Sequence, residues 1–358
     1  MVDPRNKKLA KILVDYSVGV KKNEKVVINC TSPSGLPLAR EVYKYLLINN
    51  AYPYFQLHDE FLSYFYFKHA DKKQLTLKPE PALFIAKWAD KFITIVAEQN
   101  PKELANIEPE KQTLRSKTSK PVKDIILKKK WVLTYYPTSG MAYASGMSLY
   151  ELENFYFGAC LRDWNKEKKQ MEKLKLFLDK SNKVEIIGYK TNLKFSIQTR
   201  KFAVCAGQYN MPDGEVFGAP LEKSVEGNVY FEFPSLFHGK EVRGVQLFFS
   251  KGKVIKYKAR QNERFLGEIL KTDPGAKRLG EWGIGTNRKI TRYMQNTLFD
   301  EKIGGTIHLA LGCAYKEEDG GGENDSAIHW DLIKDMRKKG SKILVDGKEI
   351  IKDGKILV

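Results

Sequence analysis

The stretch EKVVINCTSPSGLPLAREVYKYLLINNAYPYFQLH, residues 24–58, decides how the chain begins to fold. EKVVINC is a short β-branched run, TSPSGLP is dense in turn formers, LAREVYKYLLINNA carries apolar residues at helical spacing, and YPYFQLH is extended. A strand, a helix and a second strand in that order require parallel strands joined by a right-handed crossover. The loop TSPSG lacks both GxGxxG and GxxxxGK[ST], so it reads as a turn and helix cap rather than a phosphate cradle.

Upstream, Leu9, Ile12, Leu13, Tyr16, Val18 and Val20 recur at nearly helical spacing, which predicts a helix over residues 6–20 ending near Gly19. Downstream, ALFIAKWADKFITIVAEQ (82–99) and KKWVLTYYP (129–137) read as two further apolar strands with helical or irregular links. Together these predict an α/β first domain with a parallel sheet over residues 1–146. From Met147 to Ser181 the pattern becomes a helix pair, opened by a capping box of Ser148 with Glu151 three residues on, and the domain boundary is placed there. Beyond it VEIIGY, LKFSIQT, EVFGAP, NVYFEF, VRGVQLFFSKGKVIKYKA and KILVDGKEIIKDGKIL alternate with tight turns, among them Asp346-Gly347 and Asp353-Gly354. Residues 147–358 are therefore expected to form an α+β second domain, with EEDGGGE (317–323) as a flexible acidic loop.

With 42% hydrophobic residues over 358 positions, the chain can bury a large core in two domains. No run approaches the ~18 apolar residues of a membrane span, and the amino terminus mixes charge with apolar residues instead of showing a secretory core, so a cytoplasmic address is expected. The four cysteines are scattered with no CxxC pair, which argues for reduced, mostly buried thiols and against a disulfide framework or thiolate zinc knuckle. Any metal must then be held by His and carboxylate, a set suited to Zn, Co, Mn or Fe. Sixty-one Lys and Arg against 43 Asp and Glu give a formal charge of +18. The excess is mostly Lys interleaved with Glu at helical spacing, as in WNKEKKQMEKLKLFLDK, which reads as a solvated surface rather than a nucleic-acid site.

Two of the five His residues, His308 and His329, fall in a stretch rich in Gly and acid. In NDSAIHWD, His329 and Asp331 are two apart, so on an extended segment both face one side. In GGTIHLALGCAY, the alternation of Ile307, Leu309 and Leu311 marks a strand whose other face carries His308 and Ala310. A lone strand His is more often a satisfied core or surface residue, so the pair needs support from carboxylates. Glu215 in MPDGEVFGAP, Glu281 in RLGEWGIGTN and Glu301 in LFDEK lie among apolar and Gly residues, where a buried Glu is costly unless paired or bound to metal. Read singly, Glu215 is equally a turn residue after Asp213-Gly214, and Glu281 a helix-start or loop carboxylate. Four carboxylates and two imidazoles exceed the needs of one zinc and suit two ions about 3.5 to 4 Å apart, the arrangement of aminopeptidases and other hydrolases.

At YNMPDGEVFGAP, RLGEWGIGTN, LFDEKIGGTIHLALGCAY and SAIHWD, in that order, the sequence resembles the aminopeptidase T and aminopeptidase S family of dinuclear metallopeptidases. The likeness extends upstream through YPTSGMAYASGMSLYELENF and ACLRDW, and more loosely through the first domain. It implies that Glu215, Glu281, Glu301, His308, His329 and Asp331 bind two divalent ions (Zn, Co or Mn), with Glu281 as the bridging carboxylate. It further implies that Tyr315 donates a hydrogen bond to the oxyanion of the tetrahedral intermediate, and that the protein is a homodimer. The implied activity is hydrolysis of the amino-terminal bond of peptides with a free amino terminus, through a metal-bridged water and with no organic cofactor. Gly218 stands where VFTAP is usual, a departure that bears on the substrate pocket. The rivals are hydrolysis of a non-peptide amide at the same site, and a basic binding protein with a vestigial metal site that docks on RNA or acidic partners.

Overall fold

The computed structural model describes residues 3–100, 103–316 and 320–358. The acidic start of the loop read at 317–323, residues 317–319, lies outside the described residues. The chain divides into two compact units, Met1–Arg162 with Gly207–Pro212, and Asp163–Ala206 with Asp213–Val358.

In the first unit the opening helix runs Pro4–Lys11, capped by the Asp3 carboxylate, and widens into a π-helical turn, Ile12–Ser17. β1 (Lys25–Cys30), the helix Leu36–Ile48 and β2 (Tyr52–Leu57) form the parallel unit read from residues 24–58, in register from Lys25 opposite Tyr52 to Cys30 opposite Leu57. Ser32 caps the short 3-10 turn Pro33–Gly35 that leads into the helix, so the TSPSG loop is a turn and cap. β3 (Lys91–Val96) pairs with the other edge of β1, and β4 (Lys130–Tyr135) pairs with β3, both parallel.

The apolar run 82–99 is not one strand: its first half is the helix Glu80–Trp88, and only Lys91–Val96 enters the sheet. Eighteen residues exceed the usual length of a strand, and Pro81 in the first turn pre-sets helical φ. The fifth strand, β8 (Asn210–Met211), returns from far downstream to give the order β2-β1-β3-β4-β8. The helix Leu149–Cys160 opens with the expected Ser148–Glu151 capping box and belongs to this unit, where Tyr156 Oη shares a buried 2.6 Å hydrogen bond with Thr134 of β4. Compactness therefore divides the helix pair itself, later than residue 147.

The second unit is mostly antiparallel. Its larger sheet has the order β14-β13-β10-β6-β5-β18-β19-β20. The ranges are β5 (Lys183–Gly188), β6 (Thr191–Ser196), β10 (Glu226–Tyr230), β13 (Gln246–Ser250), β14 (Lys253–Lys258), β18 (Lys342–Val345), β19 (Lys348–Lys352) and β20 (Lys355–Ile356). Lys251-Gly252, Asp346-Gly347 and Asp353-Gly354 all have positive φ, the backbone of tight two-residue hairpins. β11 (Ser235–Phe237) and β12 (Lys240–Val242) make a small ribbon.

A third sheet, in the order β17-β16-β15-β9-β7, consists of β7 (Ala203–Cys205), β9 (Glu215–Gly218), β15 (Leu279–Gly285), β16 (Thr306–Gly312) and β17 (His329–Asp335). Every residue of β9, β15 and β16 is buried, so both faces of this sheet are covered. One face is apolar: Trp282 of β15 packs edge-on between Phe195 of β6 and Phe202, beside Ile284, Ile307 and Leu309. The opposite face carries the site. Among the described residues no helix is long and apolar enough to cross a membrane.

Candidate metal centre

Strand alternation and register assemble the site. On β15, Glu281, Gly283 and Gly285 share one face. Gly285 stands opposite Glu215 of β9, Gly283 opposite His308 of β16, and Glu281 opposite Ala310. Ala310 in turn stands opposite Asp331 of β17, and Gly312 opposite His329. Four strands thus turn Glu215, Glu281, His308, Asp331 and His329 to the same side, as the i, i+2 spacing of His329 and Asp331 and the alternation about His308 require. Glu301 joins them from the end of the short helix Thr297–Asp300, its carboxyl 2.8 Å from Lys302 Nζ. Asp300 pins that turn by accepting from Met294 N at 2.6 Å and Asn296 N at 2.9 Å.

Five of the six side chains form a continuous network, and Glu301 joins it through Lys302. His308 Nε2 lies 2.9 Å from Glu281 Oε1 and 3.5 Å from Glu215 Oε2. His329 Nε2 lies 3.3 Å from Asp331 Oδ2 and 3.6 Å from Glu281 Oε2. His329 Nδ1 donates to the Cys313 carbonyl at 2.7 Å, which orients the ring so that Nε2 faces the carboxylates. Ion-to-ligand distances of about 2.0–2.2 Å in a tetrahedron separate neighbouring ligand atoms by roughly 3.3–3.6 Å, the spacing found between three of these pairs.

Among the described residues, Glu215 Oε2, Glu281 Oε2, His308 Nδ1 and Asp331 Oδ1 are buried with no hydrogen-bond partner. Unpaired buried carboxylate oxygens are costly in protein interiors, and Glu215, Glu281 and Asp331 each lie beside an imidazole on the same face, so the donor set fits divalent cations. Glu281, His329 and Asp331 offer ligand atoms all within 4.8 Å of one another, and so do Cys205, Asp213 and Glu215.

Electrostatics follow from crowding. Burial pushes the carboxyl of Glu281 up against the opposing pull of His308. Burial likewise raises Glu301 to about 8, with Lys302 opposing and the charges of Asp331 and Glu215 adding to it. Burial works against the imidazolium of His308, but the Glu281 hydrogen bond and the charges of Glu215, Glu281 and Glu301 overcome it and lift its pKa to about 9. His329 rises to about 10 in the same way, with Asp331 as its main partner against burial. Burial disfavours the Asp331 carboxylate too, yet the His329 hydrogen bond and both imidazoles hold it below the usual range.

His308, His329 and Glu301 all bind protons more tightly in the folded chain than in the unfolded one. Their contribution to the metal-free protein is therefore greatest in acid and is lost as pH rises through about 8 to 10. We expect the Tm of the metal-free protein to fall between pH 6.5 and pH 10, and added divalent metal to flatten that fall because it displaces the imidazolium protons. Melting curves of the wild type and of a variant with His308→Gln and His329→Gln check this; a metal-free wild type as steep or shallow as the double variant would disprove it.

Two participants escape sequence reasoning. Lys302 is completely buried, and its Nζ lies 2.8 Å from both Glu215 Oε1 and Glu301 Oε2. Burial opposes its charge, and the surrounding carboxylates of Glu215, Glu301 and Asp213 prevail to raise its pKa. The adjacent EK pair in LFDEK is its only signal in the sequence. Gly283 is the other: a Cβ there would lie 2.0 Å from both Cε1 and Nε2 of His308, so the imidazole lies across a bare backbone. Tyr315 is half-exposed, with its ring 5.5 Å from that of His329 and 5.3 Å from that of Phe217. Gly218 does not face the site. It pairs with Trp282 on the apolar face, where a Cβ would meet Phe202 at 2.9 Å, so its small size accommodates core packing and leaves the metal side to Phe217.

The chain is 26% identical to aminopeptidase 2 of Geobacillus stearothermophilus over 97% of its own length and 94% of that protein. It is 34% identical to aminopeptidase AmpS of Bacillus subtilis over 39% of this chain and 38% of that one. Its fold is similar to wild-type AmpT from Thermus thermophilus, with a TM-score of 0.86 at 22% identity and 99% of both chains covered. It is also similar to a 2,5-dihydroxypyridine dioxygenase from Pseudomonas putida KT2440, with a TM-score of 0.61, 12% identity and coverage of 98% and 96%, so the fold alone does not select a chemistry. The family model described as thermophilic metalloprotease (M29) matches residues 2–356, and the chain belongs to that family.

Proposed function

We propose that Glu215, Glu281, Glu301, His308, His329 and Asp331 hold two divalent ions (Zn, Co or Mn), and that the loaded site removes the amino-terminal residue of peptides. The activity class follows from the family: the chain is a metal-dependent aminopeptidase, a hydrolase. The observation that carries the two-ion reading is the convergence of four carboxylates and two imidazoles on one buried face, with several of their polar atoms unpaired. When bound, such ions polarise the scissile carbonyl, lower the pKa of a water held between them and can hold a free amine. Glu281, which touches both imidazoles, is placed to bridge, and His308 and His329 each turn Nε2 toward the carboxylates.

Tyr315 is the oxyanion donor in this reading. Burial of its hydroxyl, reinforced by the charges of Glu281, Asp331, Glu301 and Glu215, pushes its pKa up, so the phenol keeps its proton and remains a donor at neutral pH. Tyr315→Phe is expected to lower kcat ~10²-fold with bound metal unchanged. Steady-state kinetics with metal analysis on the same sample checks it, and loss of metal along with activity would remove Tyr315 from the chemistry.

The direct test of function is chelation followed by add-back of Zn, Co or Mn, with amino-acid arylamides and peptides as substrates. Activity is expected to vanish on chelation, to return on add-back with two ions per chain, and to require a free amino terminus. Equal cleavage of blocked substrates would exclude exopeptidase action. A cytoplasmic homodimer completes the reading, and sedimentation equilibrium checks the dimer.

A further inference from the structure

The first unit carries a cavity of about 720 Å³ whose lining includes none of the six candidate metal ligands. It opens at the carboxyl ends of the parallel strands. β1 lies between β2 and β3, so the chain leaves β1 toward one edge for β2 and reaches β3 on the other. That reversal is the place in an open parallel sheet where crossovers diverge and leave a crevice for ligands.

The sheet face beneath the cavity changes character along its length. Toward the amino ends, Val27 and Phe92 pack with Ala89, Ile85 and Ile126 into a closed apolar cluster. Two residues further on, the same face presents Asn29 and Thr94, and Asn29 stands directly opposite both Thr94 and Gln56. Interior strands of parallel sheets are ordinarily apolar throughout, so Asn29 and Thr94 on the interior strands β1 and β3, continued by Gln56 on the edge strand β2, call for a cause. Among the described residues none of these three side chains has a hydrogen-bond partner, although all line the cavity. The volume and the mixture of an apolar floor with a few convergent polar groups are those of small-molecule sites.

Charge selects the ligand. Three carboxylates, Glu60, Glu98 and Glu103, line the cavity, and among the described residues it has no Lys or Arg, in a chain with a net charge of +18. Glu60 accepts from Gln99 N at 2.8 Å and Asn100 N at 3.2 Å, and Glu103 accepts from Asn100 Nδ2 at 2.8 Å. Among the described residues the Glu98 carboxylate makes no such bond. Burial, and then the charge of Glu60, push its carboxyl up.

We propose that this cavity is a second binding site, for a small primary amine with an apolar body. The ammonium lies against Glu98 and Glu60, the body rests on Phe92, Ile85 and Ile126, and Gln56, Asn29 and Thr94 supply hydrogen bonds.

Calorimetric titration of the metal-loaded full chain with 3-methylbutylamine, 3-methylbutanol and 3-methylbutanoate tests it. The amine is expected to bind at a Kd of ~1 mM or tighter, in the Glu281→Gln background as well as in the wild type. Asn29→Leu combined with Thr94→Val is expected to weaken amine binding at least ~10-fold and to leave arylamide hydrolysis without amine unaltered, which also shows that the variant folds. Glu98→Gln is expected to weaken the amine but not the alcohol. The proposal is overturned if no amine binds up to about 10 mM, if binding disappears with Glu281→Gln, if neither cavity variant changes it, or if the carboxylate binds as well as the amine.

Discussion

Replacing Glu281 with glutamine is expected to remove at least one bound ion per chain and to lower kcat/KM by ~10³-fold or more. The side chain is almost completely buried; its Oε1 lies 2.9 Å from His308 and its Oε2 3.6 Å from His329. It is the carboxylate that links the two imidazoles. Glutamine keeps the volume and one acceptor but loses the negative charge and turns the other oxygen into a donor. Because burial already disfavours ionised Glu281, the amide is expected to leave the melting temperature of the metal-free protein unchanged or slightly raised. Metal analysis, kinetics and a thermal melt of one preparation check all three. Full metal content with wild-type activity would remove Glu281 from the site, and a large drop in metal-free stability would mean that packing had been misjudged.

The second large effect comes from a residue with no side chain. Gly283→Ala adds one methyl group where the nearest atoms, Cε1 and Nε2 of His308, are 2.0 Å away. No Cβ tolerates that approach, and the least expensive response is for the imidazole to swing off β15 and away from Glu281 and Glu215. Misplacement of a reacting or ligating group by about 1 Å can cost ~10²-fold in rate, and a loss of that size is expected here, with metal affinity reduced at least ~10-fold. Alanine suits a strand interior better than glycine, so the circular dichroism spectrum should be retained. Wild-type metal affinity in this variant would show that His308 does not lie over Gly283 in the working enzyme.

Both predictions depend on register, and register separates what was legible in the sequence from what was not. The parallel unit of residues 24–58 was readable because its signals are local: β-branched run, turn formers, helical period, extended run. The capping box at Ser148 and the Asp-Gly hairpins were readable for the same reason. The run 82–99 differs from its reading because a mostly apolar stretch shows no clear period to separate helix from strand, and the bend at Asp90 divides it. The return of Asn210–Met211 to the first sheet left no local trace at all.

The six acidic and imidazole residues could be named from residue type, spacing and the likeness of four ordered motifs to a family. Their alternation placed His308 on one strand face and set His329 beside Asp331. Local sequence did not reveal that Gly283 clears the space for His308, that Lys302 neutralises Glu215 and Glu301 from the interior, or that Gly218 faces the core. Nor could it show that Asn29, Gln56 and Thr94 form a row, since each comes from a different strand. By itself the sequence determined residue chemistry and local period, which depend on neighbours a few positions apart. Tertiary structure decided convergence, because the register between strands tens of residues apart is set by burial of the Trp282 face against Phe195 and Phe202, and that packing turns Glu215, Glu281, His308 and Asp331 to the opposite side.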